Sequence, residues 1–258
     1  ADFASIQYRR LNTRKGPAVQ ATRIQADRNL YKTYMKKTLE SQENLSLKQR
    51  SIDSLIEQNS KIIGIITSYR EEIYSDCVVI TPGTFPNGLI HIGDSQTSAG
   101  RAREAPTKQI SNSFRELGFN VGRLKTGTPP RIDGKTIDWN KTTVQPGDTD
   151  PVLFSFTNFE IRNKQLPCYI TYTNKDTHNI IRENIHRSPM YSGKIEGIGP
   201  RYCPSIEDKI VKFPDKERHQ VFLEPEGLNT NEIYPNGIST SLPIDVQIRV
   251  VNSMLGLE

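Results

Sequence analysis

Proline and glycine become dense after residue 119, and this change in texture is the strongest constraint on the fold. They occur within residues 126–130, 133–134 and 146–148. Regular helices and strands are interrupted there, because proline lacks a backbone N–H and glycine favours turns. Upstream of this point, apolar residues instead recur in helical and strand-like patterns. We therefore predict three parts: residues 1–119, residues 120–240, and a terminal helix within 241–258 that returns toward the first part.

Hydrophobic periodicity predicts an α/β protein in which the second part is a mixed α+β unit. The predicted helices cover residues 21–42, 107–117, 175–185 and 243–255, and a short one follows Cys203. The predicted strands cover residues 45–53, 61–69, 72–76, 77–81, 152–157, 167–173 and 219–224. Residues 77–81 form a continuous apolar run, typical of a strand buried on both faces. In the last helix we expect one core-facing stripe, formed by Ile244, Ile248, Val251 and Leu255.

Composition narrows the class of protein. The 258 residues are 34% hydrophobic and 24% charged, and no apolar run approaches the roughly 18 residues of a membrane span. Three widely spaced cysteines, Cys77, Cys168 and Cys203, form neither a disulfide framework nor a CxxC metal clip. The four histidines have no metal-binding spacing. We therefore expect a cytoplasmic protein without a structural metal.

Positive charge is concentrated at the start of the chain. Residues 1–50 contain 11 Lys and Arg against 4 Asp and Glu, a balance of +7, so the net charge of +5 leaves −2 for the remainder. Such asymmetry indicates a polyanionic partner. A solvated helix face explains it equally well.

The segment around Cys203 is the best candidate for chemistry. Pro204 suits the first position of a helix, which would make Cys203 the N-cap residue, between the cations Arg201 and Lys209. A helix N-terminus and nearby cations favour the thiolate, although Glu207 and Asp208 oppose them. The alternative is a small buried apolar cysteine.

Two further segments carry polar side chains that are close in sequence. Residues 125–131, from Lys125 to Arg131, form a rigid basic loop that could hold an anion, although structural turns explain its prolines equally well. Glu224 and Glu226 could form a pair for proton transfer. Solvated turn residues are the stronger interpretation of that pair.

Several long strings together resemble one family. They are residues 15–19 (KGPAV), 25–28 (QADR), 83–85 (GTF), 90–93 (IHIG), 122–132 (GRLKTGTPPRI), 167–171 (PCYIT), 187–191 (RSPMY), 199–209 (GPRYCPSIEDK), 222–227 (FLEPEG) and 231–241 (NEIYPNGISTS). These strings span nearly the whole chain. By these strings the chain resembles the MnmG family, also called GidA. It resembles an internal part of the family's members.

The resemblance implies a flavoprotein that modifies tRNA. Members add a carboxymethylaminomethyl or aminomethyl group to C5 of the wobble uridine, with FAD, NADH and methylene-tetrahydrofolate, and with glycine or ammonium as the amine. They act with the GTPase MnmE and are expected to be homodimers. Residues 1–119 then correspond to part of a Rossmann-like FAD-binding domain that lacks its GxGxxG motif, and residues 120–240 to a large inserted domain.

Site residues follow from the resemblance position by position. Cys203 matches a catalytic cysteine, and Arg201 and Lys209 match residues implicated in tRNA binding. The FAD contacts would be Ile52, Gly83, Thr84, Arg101 and Thr107. The segment assigned to NAD is Gly199, Pro200, Arg201, Tyr202, Cys203, Pro204, Ser205, Ile206, Glu207, Asp208, Lys209, Ile210, Val211, Lys212 and Phe213.

Two other functions remain open from the sequence. The isolated chain could be a binding module for nucleic acid or a dinucleotide, without turnover. The parent could instead resemble TrmFO, a folate- and flavin-dependent tRNA uridine methyltransferase that shares the Gly-Thr-Phe type of loop.

Overall fold

The structure, a computed structural model, describes residues 1–84, 86–100, 104–157, 160–195, 197 and 204–258. The strands are β1 (Ser5–Leu11), β2 (Ala21–Ala26), β3 (Ile52–Gln58), β4 (Lys61–Thr67), β5 (Glu72–Tyr74), β6 (Leu89–Ile92), β7 (Ser95–Ser98), β8 (Ile132–Asp133), β9 (Thr143–Gln145), β10 (Cys168–Tyr172), β11 (Gln220–Pro225) and β12 (Glu232–Asn236). The α-helices are α1 (Arg28–Glu40), α2 (Ile110–Glu116), α3 (Lys175–Glu183), α4 (Ile206–Lys212) and α5 (Ile244–Asn252). None of these described helices is long and apolar enough to cross a membrane.

An antiparallel sheet of five strands, in the order β8-β12-β11-β10-β9, organises the second half of the chain. Its apolar face packs against α3, α4 and α5. The shared core contains buried side chains from each of these elements: Ile181, Ile206, Ile210, Val221, Leu223, Val246, Val250 and Met254. The terminal helix therefore contributes to the core of the sheet unit. The division into three domains stays a prediction.

The N-terminal hairpin of β1 and β2 docks on the same unit. The side-chain amide of Gln7 donates to the carbonyls of Gln145 (3.1 Å) and Leu166 (3.2 Å). The carboxylate of Asp2, which is only 2% exposed, accepts hydrogen bonds from the backbone N–H groups of Phe154 (2.8 Å) and Ser155 (2.7 Å). The predicted strand over 152–157 is wrong, because these N–H groups bind a side chain rather than a neighbouring strand.

A separate antiparallel meander of β3, β4 and β5 lies in the first half of the chain. Asn59 and Ser60 form the turn between β3 and β4, with φ angles of 54° and 60°. Helix α2 packs on β3, where the Ser113 hydroxyl accepts a hydrogen bond from the Leu55 N–H at 3.0 Å. It ends as predicted at Gly118, whose φ is +83°. The strand predicted over 45–53 instead begins at Ile52.

Two predictions in the first half are wrong. Residues 21–26 form a strand paired with β1, and the helix predicted over 21–42 begins only after Asp27, whose carboxylate caps it by accepting from the Leu30 N–H at 2.9 Å. Residues 77–81 are not a strand, and Val79 is 86% exposed. No strand among the described residues pairs with them, so this apolar run is not part of a described sheet.

The mixed α/β class is confirmed, and the described sheets are antiparallel. Helices α2, α3 and α4 and strands β4, β5, β10 and β11 match their predicted positions within a few residues. Helix α5 is present, but its predicted face is wrong. Ile244 and Ile248 are 60% and 54% exposed, whereas Val246 and Val250 are buried. Two apolar stripes run along this helix. Packing on the sheet buries the stripe with Val246 and Val250 rather than the predicted one.

Candidate functional site

The loop that follows β12, residues 237–242, is the point where the conspicuous strings of the sequence meet. The carbonyl of Ser239 accepts from the N–H of Ile206 (2.8 Å), and the carbonyl of Ser241 accepts from the N–H of Gly93 (2.7 Å). The N–H of Thr240 donates to the carbonyl of Thr128 (3.3 Å). One backbone segment thus hydrogen-bonds to the 90–93, 122–132 and 199–209 strings. We call it the junction loop.

Glu207 fixes the junction loop from the side of α4. It is fully buried, and its Oε1 accepts from the Thr240 hydroxyl (2.9 Å), the Ser241 N–H (3.2 Å) and the Ser188 hydroxyl (3.4 Å). Its Oε2 has no hydrogen-bond partner among the residues that the structure describes. Sequence reasoning treated this carboxylate as a charge opposing the thiolate and as part of the segment assigned to NAD. Its structural role had no local signal, since the three donors come from distant segments.

Helix α4 begins two residues later than the cysteine argument required. Ser205 is the N-cap, with its hydroxyl accepting from the Asp208 N–H at 3.2 Å, and Asp208 completes a capping box. The predictions that Cys203 caps the helix and that Pro204 opens it are therefore wrong. A serine followed three residues later by an acid satisfies two otherwise unpaired N–H groups, which a cysteine does poorly. Gly199, Pro200, Arg201, Tyr202 and Cys203 themselves lie outside the described residues.

Lys209 is directed back into the protein. Its ammonium donates to the Gly237 carbonyl at 2.7 Å, and burial lowers its pKa. This contact connects α4 to the start of the junction loop. The tRNA-binding role of Lys209 stays a prediction, as does the dinucleotide role of the 199–213 segment, of which the structure describes 204–213.

Some of the residues expected at FAD lie on two connected segments, around Gly83 and around Thr107. Gly83, at φ +65°, has open space around it, and Thr84 is exposed. Thr107 lies nearby, because its carbonyl accepts from the Asn87 N–H at 2.8 Å and it forms a parallel bridge with Pro86. Ile52 begins β3, opposite Thr67. Arg101 lies outside the described residues, and the FAD assignment stays a prediction.

An arginine–glutamate cluster joins the N-terminal hairpin to the sheet. The guanidinium of Arg131 lies 2.7 Å from a carboxylate oxygen of Glu226, which also pairs with Arg28. Arg23 lies 3.6 Å from Glu224. Both glutamates are buried, at 7% and 9% exposure, so their interpretation as solvated turn residues is wrong. Burial raises the pKa of Glu224, against the opposing effects of Asn236 and Arg23.

The remaining conspicuous side chains are structural. Cys168 is buried, and its pKa rises to about 11 because of that burial and of nearby Glu224, so it has little thiolate character. His178 is only 2% exposed, and its Nε2 lies 2.8 Å from the Thr173 hydroxyl oxygen. One cleft among the described residues is lined by Tyr172, Thr173 and Lys175. None of the predicted site residues that the structure describes lines it.

The fold and the junction loop define the class first. This is a mixed α/β protein in which separated loops meet at the junction loop, and one buried carboxylate holds that loop. The family described as "Glucose inhibited division protein A" matches residues 1–258, and the chain belongs to that family.

Relatives and solved structures agree with this assignment. The chain is 60% identical over 257 residues to a protein of Thermodesulfovibrio yellowstonii named "tRNA uridine 5-carboxymethylaminomethyl modification enzyme MnmG", and 55% identical to a Geobacter sulfurreducens protein of the same name. It covers 41% of each of these relatives. A solved structure of Aquifex aeolicus GidA superimposes with a TM-score of 0.90 and 52% identity, over 98% of this chain and 43% of that one. The resemblance to the GidA family is thereby confirmed.

Proposed function

We propose that this chain is the part of a tRNA-modifying enzyme that carries the nucleophile Cys203 and the loops around it. The parent enzyme adds a carboxymethylaminomethyl or aminomethyl group to C5 of a wobble uridine. The observation that carries this proposal is the junction loop, because it gathers the family's long strings in a chain that is 60% identical throughout to a relative of that name.

The described residues expected at FAD fit such a group. Gly83 and Thr84 are exposed, and open space surrounds the position where a side chain at Gly83 would begin. Backbone can therefore approach a ligand closely there. Ile52, Gly83, Thr84, Arg101 and Thr107 would hold the flavin, which supplies redox chemistry when bound. Residues 199–213 would bind NADH.

Cys203 would act by covalent catalysis. Addition of a thiolate to uridine C6 makes C5 nucleophilic, and C5 can then attack a one-carbon unit derived from methylene-tetrahydrofolate. Loss of the C5 proton then breaks the C6–S bond, which restores the uracil ring and releases the thiolate. Glycine or ammonium would supply the amine. The start of α4, which follows Cys203 in the chain, is held through Ser205 and Glu207.

Binding of tRNA would use the basic side chains of the N-terminal part. Helix α1 has no fully buried residue, and it exposes Lys32, Lys36 and Lys37. Neutralisation of phosphates by such cations supplies much of the affinity for nucleic acid. We further propose the GTPase MnmE and a second copy of the parent protein as partners, on the strength of the family resemblance alone.

A chimera tests this function. The corresponding segment of the Thermodesulfovibrio yellowstonii relative is replaced by this chain, and nucleosides from tRNA are analysed by mass spectrometry in cells that lack the enzyme. We expect 5-carboxymethylaminomethyluridine to be restored. We expect Cys203→Ser in the chimera to abolish it, since removal of a covalent nucleophile costs several orders of magnitude in rate.

Cys77→Ser is the matched control, because Cys77 is an exposed free thiol, and it should leave the modification unchanged. Modification that survives Cys203→Ser would exclude Cys203 as the nucleophile. The appearance of 5-methyluridine instead would favour the TrmFO-like alternative. The isolated 258-residue chain should bind ligands without turnover.

A further inference from the structure

The five-stranded sheet has a short open edge at the end of β10. Strand β9 pairs with β10 only as far as Thr143, which lies opposite Ile170. On the other side of β10, the Thr173 N–H donates to the His219 carbonyl at 3.0 Å. Backbone hydrogen bonds of an antiparallel strand alternate between its two neighbours. The N–H and the carbonyl of Tyr172 therefore face the side that β9 leaves open.

The chain turns away where β9 would have covered Tyr172. The register of the two strands would place Lys141 opposite Tyr172. Instead, the Lys141 N–H donates to the Asp138 carbonyl, and the Thr142 N–H donates to the Trp139 carbonyl, both at 3.1 Å. Tyr172 thus presents one backbone donor and one backbone acceptor, side by side, to any group that occupies this edge.

A cleft lies at the open edge. Its volume is about 480 Å³, within the range of roughly 300–1,000 Å³ that is typical of small-ligand sites. Tyr172 and Thr173 line it from the end of β10, Lys175 from the start of α3, and Arg218 from the segment before β11. The cleft is therefore large enough to hold a ligand of the size of a nucleotide.

Arg218 provides a planar cationic surface in this cleft. Its guanidinium carbon lies over the Tyr172 ring, 4.5 Å from the ring centroid, and the residue is exposed. Arginine planes and aromatic rings are the surfaces on which proteins stack nucleobases. Arg218 and Tyr172 together therefore form a stacking platform next to the open backbone edge.

Positive charge exceeds negative charge around the cleft. The charged residues that line it are three cations, Lys141, Lys175 and Arg218, and one anion, Glu217. Lys141 lies 3.3 Å from Glu258, which answers part of its charge. Lys175 and Arg218 remain as cations that can form charge-assisted hydrogen bonds with a phosphate group.

We infer that this cleft binds a nucleotide, with its base on the platform of Arg218 and Tyr172 and its phosphate at Lys175. The edge of the base would pair with the backbone N–H and carbonyl of Tyr172. An added peptide strand fits less well, because strand addition uses a longer run of backbone positions, and β9 leaves open only the end of β10. The source is either a free nucleotide or one nucleotide of an RNA strand.

This site goes beyond the proposed function. None of the described residues assigned to FAD, to NAD or to tRNA lines the cleft, and its test does not use the modification reaction.

Binding is measured by NMR on the ¹⁵N-labelled 258-residue chain, with the Tyr172 amide and the Arg218 side-chain Nε as reporters. The probes, at matched ionic strength, are uridine and adenosine, their 5′-monophosphates, the RNA tetranucleotide of each, and a six-residue peptide of alternating threonine and valine. We expect saturable shifts of both reporters with at least one base. The monophosphate should bind at least about fivefold more tightly than its nucleoside, because of the phosphate contact.

The tetranucleotides separate the two sources. Tighter binding of a tetranucleotide than of the monophosphate identifies an RNA strand, since neighbouring phosphates add affinity. Equal binding identifies the free nucleotide.

Three variants at exposed positions test the assigned contacts. Arg218→Ala should weaken the binding of nucleoside and nucleotide alike by at least about fivefold, the lower end for loss of base stacking. Arg218→Lys should not restore it, because lysine has the charge without the plane. Lys175→Met should weaken binding of the monophosphate and leave that of the nucleoside unchanged.

The matched control is Lys216→Met, at an exposed lysine that does not line the cleft, and it should bind like the unsubstituted chain. The inference is overturned by the absence of saturable shifts with every nucleotide, or by undiminished binding in the Arg218→Ala chain. It is also overturned if the peptide alone shifts the reporters, since the edge would then accept a strand. A chimera that fails to modify tRNA would refute the proposed function and leave nucleotide binding by the isolated chain standing.

Discussion

At the scale of single residues, Glu207 has the largest number of consequences. Its Oε1 is the common acceptor for two hydroxyls and one backbone N–H, all with little access to water. Glu207→Leu should destabilise the chain by roughly 2–4 kcal/mol, because these donors lose their acceptor. Glu207→Gln keeps an oxygen at this position and should cost about half as much or less. Urea denaturation measures both.

The matched control for Glu207 is Glu183→Gln, at an exposed position in α3, which should change stability by less than about 0.5 kcal/mol. A Glu207→Leu chain as stable as this control would show that the junction loop does not depend on the carboxylate.

Glu224 gives a pH dependence at the same scale. Burial raises its pKa above the ordinary value of 4.5, so the folded chain binds this proton more tightly than the unfolded chain. The contribution of Glu224 to the free energy of unfolding is therefore fully present below pH 4.5. It is lost as the pH rises through the raised pKa of the folded chain. Glu224→Gln should remove that loss and flatten the dependence of the free energy of unfolding on pH.

Denaturation series at several pH values between about 4 and 8 cover the range in which carboxyl groups titrate. Glu217→Gln, at an exposed site, should keep the slope of the unsubstituted chain. If Glu224→Gln also kept it, the buried carboxyl would not be the source of the pH dependence.

At the scale of elements, the start of α4 shows what the sequence could indicate. The signal for Ser205 was present, because a serine followed three residues later by Asp208 is a capping box. It was outweighed by the preference of proline for the first helical position, which is statistical rather than a hydrogen bond. Asp27 was a similar signal for the start of α1, because aspartate is a favoured N-cap residue. It was outweighed because the apolar residues of the preceding strand also fit a helical period.

Ser205→Ala tests this cap. The substitution removes the acceptor for the Asp208 N–H and should lower the free energy of unfolding by about 1 kcal/mol. Ser192→Ala, at an exposed serine in a turn, is the control and should have little effect. Equal stability of the two variants would mean that α4 is held by tertiary packing alone.

At the scale of the whole molecule, the sequence indicated the mixed α/β class and the residue strings but not how they meet. Gly93, Thr128, Ile206 and Ser241 are far apart in the chain, and no local pattern shows that the junction loop connects them. The exposed stripe of α5 is a similar case. Two stripes of comparable apolarity were available, and only the position of the sheet decides which one is buried.

The shared anchorage of these loops has an evolutionary consequence. Because residues 93, 128 and 206 all hydrogen-bond to one short stretch of backbone, the effects of substitutions near any of them should be non-additive with those near the others. Exchange of a single loop between distant homologues should therefore fail more often than exchange of the complete set. The loops would be inherited as a unit.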